Sequence, residues 1–329
     1  MVLTAASLAH YLLERGLVDP ASVIDGDFQV HDLSRRNCVF QVWRGPHRAY
    51  FVKQVKEWEA DSIETLEREA SFYSLLRSDP ELGALRRFVP VCYAYDAADQ
   101  VLVLEQVVDT GRTRLLAVEE ARCLGSSLRQ WHEQARAAKS LRDSPESDIE
   151  ILRFHHTPEE SDSDPDAEGA ANAELLRVVK REAAFGRTLD ALMEQWRADT
   201  LIHGDMRLDN CLISADGAVK FIDWEMAGWG DPLWDVAGLV QEYLMLWVLG
   251  DRPVAEVAPA IRAFWNAYGA ERDTRERAMG YAAARMIQSA CEYQRKGKQM
   301  TAPAIRLLQG SRNILTAPSE AIRVFFEGA

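Results

Sequence analysis

The chain has 329 residues, which at roughly 150 residues per domain corresponds to about two globular domains. Hydrophobic residues make up 47% of the chain and charged residues 27%, so its body is too apolar to be disordered. The net charge of −13 at pH 7 argues against a nucleic-acid-binding protein, because such proteins attract the phosphate backbone with positive charge.

Cysteine usage and the apolar segments favour a cytoplasmic protein. The five cysteines are an odd number, lie far apart and form no C-x-x-C pair, which is typical of reduced thiols. The N-terminal segment lacks the basic leader of a signal peptide and is expected to form an amphipathic helix. The most apolar later stretch, residues 239–249, is too short to span a bilayer. We therefore expect no membrane segment, while the sequence leaves the oligomeric state open.

The first hundred residues are dominated by strand patterns. Residues 27–55 have alternating apolar positions on either side of a Gly-Pro turn, which predicts a β-hairpin. Residues 61–77 have apolar side chains at helical spacing. Residues 89–91 and 101–105 are predicted to form two further strands around a polar turn. This part of the chain is therefore expected to be a sheet with one inserted helix.

Beyond residue 110 the apolar period becomes helical, interrupted by a small hairpin around the turn at residues 216–217. The change of period predicts an α+β fold with two domains, residues 1–108 and residues 109–329. The predicted helices span residues 117–138, 172–198, 233–249, 254–268 and 274–295.

Residues 140–171 differ from the rest in being rich in serine, proline and acidic residues. Residues 157–168 alone contain six acidic residues and no basic one, which predicts a mobile surface insertion. The insertion could attract a cationic substrate or a basic peptide, or it could be solvated without a partner. It contains His155 and His156, but adjacent histidines without a third spaced ligand indicate a metal site only weakly.

The strongest motif is HGDMRLDN at residues 203–210, followed after a predicted strand pair by IDWE at residues 222–225. Phosphoryl transfer to a hydroxyl needs a carboxylate beside that hydroxyl and oxygen ligands for magnesium. In protein kinases an aspartate base and a metal-binding asparagine share one loop, and a metal-binding aspartate follows the next hairpin. Asp205, Asn210 and Asp223 fit these three roles.

This combination resembles the aminoglycoside phosphotransferase and choline kinase-like family, whose loop has the pattern H-G-D-x-x-x-x-N and whose later motif is D-x-E. The resemblance covers most of the chain. It implies a bilobal protein kinase-like fold, with a small sheet-rich nucleotide-binding N-lobe and a larger α-rich C-lobe that carries the catalytic loop and the acceptor site. It also implies Mg²⁺ and either ATP or GTP, and it gives His203 and Asp235 the task of orienting and bracing the catalytic loop.

The same resemblance assigns the nucleotide contacts. Lys53, which ends a predicted strand, is expected to hold the α- and β-phosphates, with Glu69 as its partner. The loop over the phosphates corresponds to residues 33–40, and it lacks the glycines that bring backbone amides close to phosphate in protein kinases. The remaining candidates are Ser34 and Asn37 in that loop and the backbone of Glu105 and Val107 at the adenine edge.

Arg207 follows Asp205 by two positions and is a candidate for stabilising negative charge on the transferring phosphoryl group. The competing interpretation is a structural salt bridge to Asp209 or Glu225. Several tryptophans and tyrosines of the last hundred residues could line an acceptor pocket, or they could form helical core.

The predicted function is transfer of the terminal phosphoryl group of ATP or GTP to a hydroxyl of an aminoglycoside-like or amino-alcohol molecule. One alternative is a kinase that phosphorylates serine or threonine of a peptide in natural-product biosynthesis. Another is a nucleotide-binding pseudokinase scaffold, which is disfavoured because every candidate side chain has the chemistry that catalysis needs. The expected partners are therefore a small-molecule or peptide substrate, without nucleic acid or membrane.

Overall fold

The computed structural model describes residues 2–34, 37–45, 47–109, 117–147, 149–156, 170–294 and 297–327. The chain divides into two compact units. The first unit comprises Met1–Thr113 with Asn210–Ala227, and the second comprises Arg114–Asp209 with Gly228–Ala329.

Strands and helices are numbered in chain order. The strands are β1 (Phe28–Asp32), β2 (Cys38–Arg44), β3 (His47–Gln54), β4 (Cys92–Asp96), β5 (Val101–Glu105), β6 (Thr200–Ile202), β7 (Cys211–Ile213), β8 (Val219–Phe221) and β9 (Gly228–Gly230). The helices are α1 (Ala5–Glu14), α2 (Pro20–Ile24), α3 (Ala60–Ser78), α4 (Val118–Ala137), α5 (Glu150–Arg153), α6 (Ala170–Arg181), α7 (Ala183–Glu194), α8 (Pro232–Val248), α9 (Val254–Tyr268), α10 (Arg275–Gln294), α11 (Ala302–Thr316) and α12 (Pro318–Ile322).

The first unit is built on an antiparallel sheet with the strand order β1-β2-β3-β5-β4. Because side chains alternate along a strand, each strand divides its residues between two faces. Phe40, Val42 and Val52 are buried on one face, in a core that also contains Leu8 and Leu12 of α1. The intervening positions, among them Lys53 on β3, belong to the other face. The alternation therefore decides which side chains are available to a ligand.

Two further elements complete the first unit. Helix α3 buries the side chains of Leu66, Glu69 and Tyr73, which recur at helical spacing. The hairpin of β7 and β8 leads into a 3-10 turn over Trp224–Met226, and the ring of Trp224 stacks on Phe72 of α3 with centroids 4.5 Å apart. This stacking explains why the hairpin belongs with the N-terminal sheet although it lies far along the sequence. The domain prediction had placed these residues in the second domain.

The second unit is mostly helical, with a short antiparallel pair formed by β6 and β9. Helices α4 and α9 pack closely at Gly125, where an added Cβ would lie 2.2 Å from the carbonyl oxygen of Phe264. Buried residues occupy most positions of α8 and of α10, which pack on each other. None of the helices described in either unit is long and apolar enough to cross a membrane.

The described part of the predicted insertion at residues 140–171 contains short helical elements. Helix α5 is followed by a 3-10 turn over Phe154–His156, and Leu141, Leu152 and Phe154 are buried. The acidic run at residues 157–168 lies outside the described residues.

Candidate active site

A cavity of about 580 Å³ lies within the first unit. Its volume falls in the range of small-molecule sites, about 300–1,000 Å³. One wall comes from alternate residues of β2 and β3, namely Val39, Gln41, Phe51 and Lys53, which belong to the sheet face opposite the α1 core. The other lining residues include apolar Leu33, Leu66, Pro90, Leu104, Leu212 and Ile222 and acidic Glu69, Asp223 and Glu225.

Lys53 lies between two carboxylates in this cavity. Its Nζ is 2.8 Å from Oε2 of Glu69 and 2.5 Å from Oδ1 of Asp223. Burial lowers the pKa of Lys53, but the two carboxylates outweigh burial and raise the pKa above its ordinary value. The structure thus brings together three residues that the sequence predicted for one site, across 170 positions of the chain, and the lysine remains a cation there.

Asp223 has an uncommon backbone conformation. Its φ of 68° and ψ of 57° lie in the left-handed region, which aspartate tolerates better than most residues with a side chain. The residue stands between the end of β8 and the 3-10 turn at Trp224, and its neighbour Ile222 donates its N–H to the carbonyl oxygen of Asn210 at 3.0 Å. The β7–β8 hairpin therefore ties together the two predicted metal ligands, Asn210 and Asp223, in the first unit.

These two residues fit a magnesium ion by their chemistry. Mg²⁺ prefers hard oxygen ligands, and an aspartate carboxylate with an asparagine amide oxygen supplies such donors. Asn210 is 9% exposed, and Glu225, in the same segment, lines the cavity as a further carboxylate. The donor set agrees with the ion that the sequence predicted.

Glu105 and Val107, whose backbone was predicted to meet the adenine edge, both line the cavity. The side chain of Glu105 is engaged elsewhere, since its Oε2 accepts the N–H of Val91 at 3.0 Å and lies 3.3 Å from Nζ of Lys220. These contacts fix the end of β5. Only backbone groups of Glu105 would then meet a nucleotide base.

Ser34 and Asn37, the candidates from the loop between β1 and β2, differ in position. Asn37 lines the cavity, whereas Ser34 is not among the lining residues. The hydroxyl oxygen of Ser34 accepts the N–H of Val39 at 3.0 Å, and the N–H of Ser34 is donated to Oδ1 of Asp32 at 2.8 Å. The hydrogen bonds of Ser34 therefore connect residues on the two sides of its own loop, the end of β1 and the start of β2.

The predicted catalytic loop is held in the second unit by Asp235, a fully buried residue of α8. Its two carboxylate oxygens accept the backbone N–H groups of His203 at 2.7 Å and Gly204 at 3.1 Å, and Oδ2 lies 3.1 Å from Nε2 of His132. Burial raises the pKa of Asp235, but the hydrogen bond and charge of His132, with those of His203, outweigh burial and hold the pKa below its ordinary value. The imidazole of His203 is itself completely buried, as a loop-orienting residue would be.

Asp205, the predicted base, is paired with Arg285, a residue that the sequence analysis did not single out. Nη2 of Arg285 donates to Oδ1 of Asp205 at 3.1 Å and to the carbonyl oxygen of Met206 at 3.2 Å, while Nη1 donates to the carbonyl oxygen of Gly204 at 3.3 Å. The side chain of Arg285 is 4% exposed and that of Asp205 is 32% exposed. One buried guanidinium thus fixes both the backbone and the carboxylate of the loop.

The place of Arg285 depends on close helix packing. It lies on α10 beneath α8, with its guanidinium 5.1 Å from the ring centroid of Trp234. At Gly238 of α8 an added Cβ would lie 2.3 Å from the carbonyl oxygen of Met206 and 3.3 Å from Cζ of Arg285. A larger residue would therefore push α8 away from the loop.

Arg207 pairs with a residue that the sequence interpretation did not consider. Its Nη1 lies 3.2 Å from Oε2 of Glu292 on α10. Burial lowers the pKa of Arg207, but Glu292, Asp205 and Glu242 outweigh burial and raise the pKa above its ordinary value. The guanidinium remains a cation whichever role it has.

The tryptophans and tyrosines of the last hundred positions differ in how deeply they are buried. Tyr243 and Tyr268 are buried and Trp229 is half-buried, whereas Trp247 and Tyr293 are exposed. Trp234 and Trp265, at 1% and 2% exposure, are among the largest fully buried side chains of the protein, so both belong to the helical core.

Comparison with solved structures finds similar folds in proteins that are kinases of small molecules. Ethanolamine kinase of Plasmodium vivax superposes with a TM-score of 0.61 at 13% identity, over 93% of this chain and 88% of that one. Choline kinase of Streptococcus pneumoniae gives a TM-score of 0.57 at 17% identity, over 94% and 99%. A microcompartment-associated aminopropanol kinase gives 0.60 at 15% identity, over 96% and 98%. These likenesses define a protein kinase-like fold.

A profile described as "Phosphotransferase enzyme family" matches residues 27–281, a range that includes every site residue predicted from the sequence. The chain belongs to this family and is a phosphotransferase. No curated protein matches it by sequence. The predicted family, fold class and enzyme class are confirmed.

Proposed function

We propose that the protein transfers the terminal phosphoryl group of ATP or GTP to a hydroxyl of a small amino alcohol or aminoglycoside-like molecule. The observation that carries this proposal is Lys53, held as a cation between Glu69 and Asp223 in a cavity of about 580 Å³. A buried ammonium beside a pair of carboxylates is the arrangement that kinases use for phosphates and their metal ion.

The cavity offers separate surfaces for the parts of a nucleotide. The apolar side chains of Leu33, Leu104 and Ile222 would enclose the base, and the backbone of Glu105 and Val107 would meet its polar edge. Lys53 would hold the α- and β-phosphates, and Asn37 lines the same cavity from the loop after β1. Since backbone groups meet the base, either purine nucleotide is compatible with these contacts.

Asn210 and Asp223 would hold Mg²⁺, with Glu225 as a further carboxylate of the same segment. When bound, the ion neutralises negative charge that develops on the phosphates. Lys53 and Asp223 would then exchange part of their mutual contact for contacts to the phosphates and the ion.

Asp205 would accept the proton of the acceptor hydroxyl, or orient that hydroxyl, while the phosphoryl group moves from the nucleotide to the oxygen. Arg285 would keep the carboxylate of Asp205 in place. The hydrogen bonds that the carboxylate of Asp235 accepts from the backbone of the loop would keep the loop in place. Arg207 would stabilise charge near the transferring group.

Two observations favour an amine-bearing acceptor. The similar structures named above are kinases for ethanolamine, choline and aminopropanol, and a spectinomycin phosphotransferase gives a TM-score of 0.51 at 16% identity over 89% of this chain and 92% of that one. In the second unit, Glu242 and Glu292 add negative charge around Arg207 near Asp205. Such charge attracts ammonium groups.

The test is a mass-resolved phosphorylation screen with Mg²⁺ and ATP or GTP, in which amino alcohols, aminocyclitols and Ser/Thr peptides are offered as acceptors. We expect one small amine-bearing acceptor to gain a single phosphoryl group. Asp205→Asn should lower kcat by about 10³-fold, within the usual range for loss of a general base, and leave nucleotide affinity intact. Asp199→Asn, which removes an exposed carboxylate of the same unit, should retain full activity.

Nucleotide binding without transfer to any acceptor would favour the scaffold alternative, and modification of peptides alone would favour the peptide kinase. Either result contradicts the proposal. Equal rates in wild type and Asp205→Asn would remove Asp205 from the mechanism.

A further inference from the structure

Two histidines and an aspartate meet in the second unit, in a cluster separate from the residues described above. His155 and His156 end the 3-10 turn after α5, and Asp190 lies on α7. The Nε2 atoms of His155 and His156 are 2.9 Å and 2.7 Å from the same carboxylate oxygen, Oδ1 of Asp190. The sequence offered two adjacent histidines without a third ligand, and the fold supplies that ligand.

The packing around the cluster fixes its position. Helix α5 packs on α7, and Phe154 and Leu189, which are neighbours of the cluster in sequence, are both buried. The side chain of His155 is 8% exposed, whereas His156 is 63% and Asp190 48% exposed. At Gly186, one turn before Asp190, an added Cβ would come within 3.6 Å of Cδ2 of His155. The cluster is therefore anchored on one side and open to solvent on the other.

We propose that His155, His156 and Asp190 bind a divalent transition-metal ion of the Zn²⁺ type. All three ligand atoms lie within 4.8 Å of one another. Tetrahedral ligands at about 2.0–2.1 Å from zinc are separated by about 3.3 Å. The two distances to Oδ1 would therefore lengthen by only a few tenths of an ångström to admit the ion.

The ligand types select the class of metal. Neutral imidazole nitrogens suit Zn²⁺, Co²⁺, Ni²⁺ and Cu²⁺, whereas Mg²⁺ and Ca²⁺ take oxygen ligands. With one carboxylate and two imidazoles the bound ion keeps a net positive charge and leaves a coordination position for water. Nδ1 of His155 has no hydrogen-bond partner among the described residues. Because such a partner typically strengthens metal affinity by about 10- to 100-fold, we expect weaker binding here than at sites that have one.

Without a metal, both imidazoles would donate an Nε2–H to one oxygen of Asp190. This arrangement also satisfies the hydrogen bonds, but it gives no reason for specific metal affinity. The two states therefore differ in a measurable property. Bound metal would join the turn after α5 to α7 and so stabilise the folded second unit.

The experiment uses the full chain without a histidine tag, treated with a chelator and assayed without nucleotide. Calorimetry with Zn²⁺ and the visible absorption of Co²⁺ report the site, and thermal unfolding reports its effect on stability. We expect one equivalent of Zn²⁺ per chain, a rise in Tm on its addition, and Co²⁺ bands typical of mixed nitrogen and oxygen ligands.

Asp190→Asn and His156→Ala should each weaken Zn²⁺ binding by at least 10-fold and reduce the rise in Tm. Both replaced side chains are substantially exposed, so these variants are expected to fold. His10→Ala is the matched control, because it removes another exposed histidine paired with an acidic residue, Glu14, and it should bind like wild type.

Unchanged Zn²⁺ binding in Asp190→Asn and His156→Ala would overturn the proposal, as would the absence of binding in wild type. Asp223→Asn should bind Zn²⁺ normally. Loss of binding in that variant would place the ion in the nucleotide cavity and would also overturn the proposal. None of these readouts depends on phosphoryl transfer, so the proposed function is tested separately.

Discussion

Two charged clusters, one in each unit, differ in their balance of positive and negative charge. In the first unit a single cation, Lys53, faces the carboxylates of Glu69 and Asp223, so the cluster holds an excess of negative charge. In the second unit Arg285 pairs with Asp205, so the charges of the pair balance. An excess of negative charge is suited to receiving a further cation, whereas a balanced pair is suited to holding one carboxylate in a fixed place.

The distribution of burial supports this distinction. In the first cluster the lysine and Glu69 are 13% and 1% exposed, so the ammonium and one of its partners are both withdrawn from water. In the second cluster the guanidinium is 4% exposed but Asp205 is 32% exposed, so the carboxylate keeps access to solvent, as its proposed role requires. A substitution in the first cluster should therefore mainly lower the stability of the protein, and a substitution in the second should mainly lower its turnover.

The largest effect is expected from Lys53→Met. Removal of the ammonium leaves Glu69 as an uncompensated buried charge near a second carboxylate, which should lower the free energy of unfolding by about 3–5 kcal/mol. Urea denaturation would measure this loss. The double variant Lys53→Met/Glu69→Gln should recover part of it, because the buried charge that was left unpaired is then absent.

Lys56→Met is the control, since Lys56 is exposed just beyond the same strand, and it should change stability by less than about 0.5 kcal/mol. If the double variant is less stable than Lys53→Met, charge compensation is not what the lysine provides.

An intermediate effect, on turnover, is expected from Arg285→Lys. Lysine keeps the charge but cannot reach Asp205 and two carbonyl oxygens with one rigid group. We expect kcat to fall by about 10- to 100-fold through misplacement of Asp205, with the KM for nucleotide unchanged. Steady-state kinetics with the acceptor found in the screen would measure this.

Arg277→Lys provides a matched control on the same helix. The side chain of Arg277 is mostly buried, and its guanidinium lies 3.6 Å from the carboxylate of Asp231. Asp231 is not part of the predicted catalytic loop. Arg277→Lys should lower stability without lowering kcat. Equal losses of kcat in both variants would show that helix packing, and not the position of Asp205, governs turnover.

The smallest effect concerns pH and the carboxylate of Asp235. Since its pKa is lower in the folded protein than in the unfolded chain, its contribution to stability is present above about pH 4 and is lost as the pH falls through the folded pKa. His132→Phe removes one cause of that lowering. The free energy of unfolding should therefore decrease less steeply with falling pH than in wild type, whereas His10→Ala should reproduce the wild-type slope. An unchanged slope in His132→Phe would contradict the assigned cause.

The sequence made some site residues visible because they interrupt apolar runs. Asp205, Asn210 and Asp223 lie in short polar segments next to buried strands, where polar and charged side chains are uncommon unless they have a specific role. Arg285 gave no such signal, since an arginine within a helix is ordinary and only tertiary packing shows that it is buried. For the same reason the sequence did not indicate Glu292, on a helix far along the chain, as a partner of Arg207.

The histidine pair shows a second limit of sequence analysis. His155 and His156 are conspicuous, but Asp190 is one acidic residue among many, and nothing in its local pattern relates it to them. The packing of α5 on α7 creates the relation. Ligands on separate elements become a candidate site only when the fold specifies their distances.

The interleaved units have a consequence for the synthesis of the protein. The first unit is not complete until Asn210–Ala227 has been made, because these residues supply the β7–β8 hairpin and Asp223. A growing chain that has left the ribosome only as far as α4 has its five-stranded sheet but lacks one of the two carboxylates around Lys53. Chain elongation at about 5–20 residues per second would separate these stages by several seconds. During that interval the nascent N-terminal region would carry an unfinished cavity around Lys53, a state that chaperones would be able to recognise.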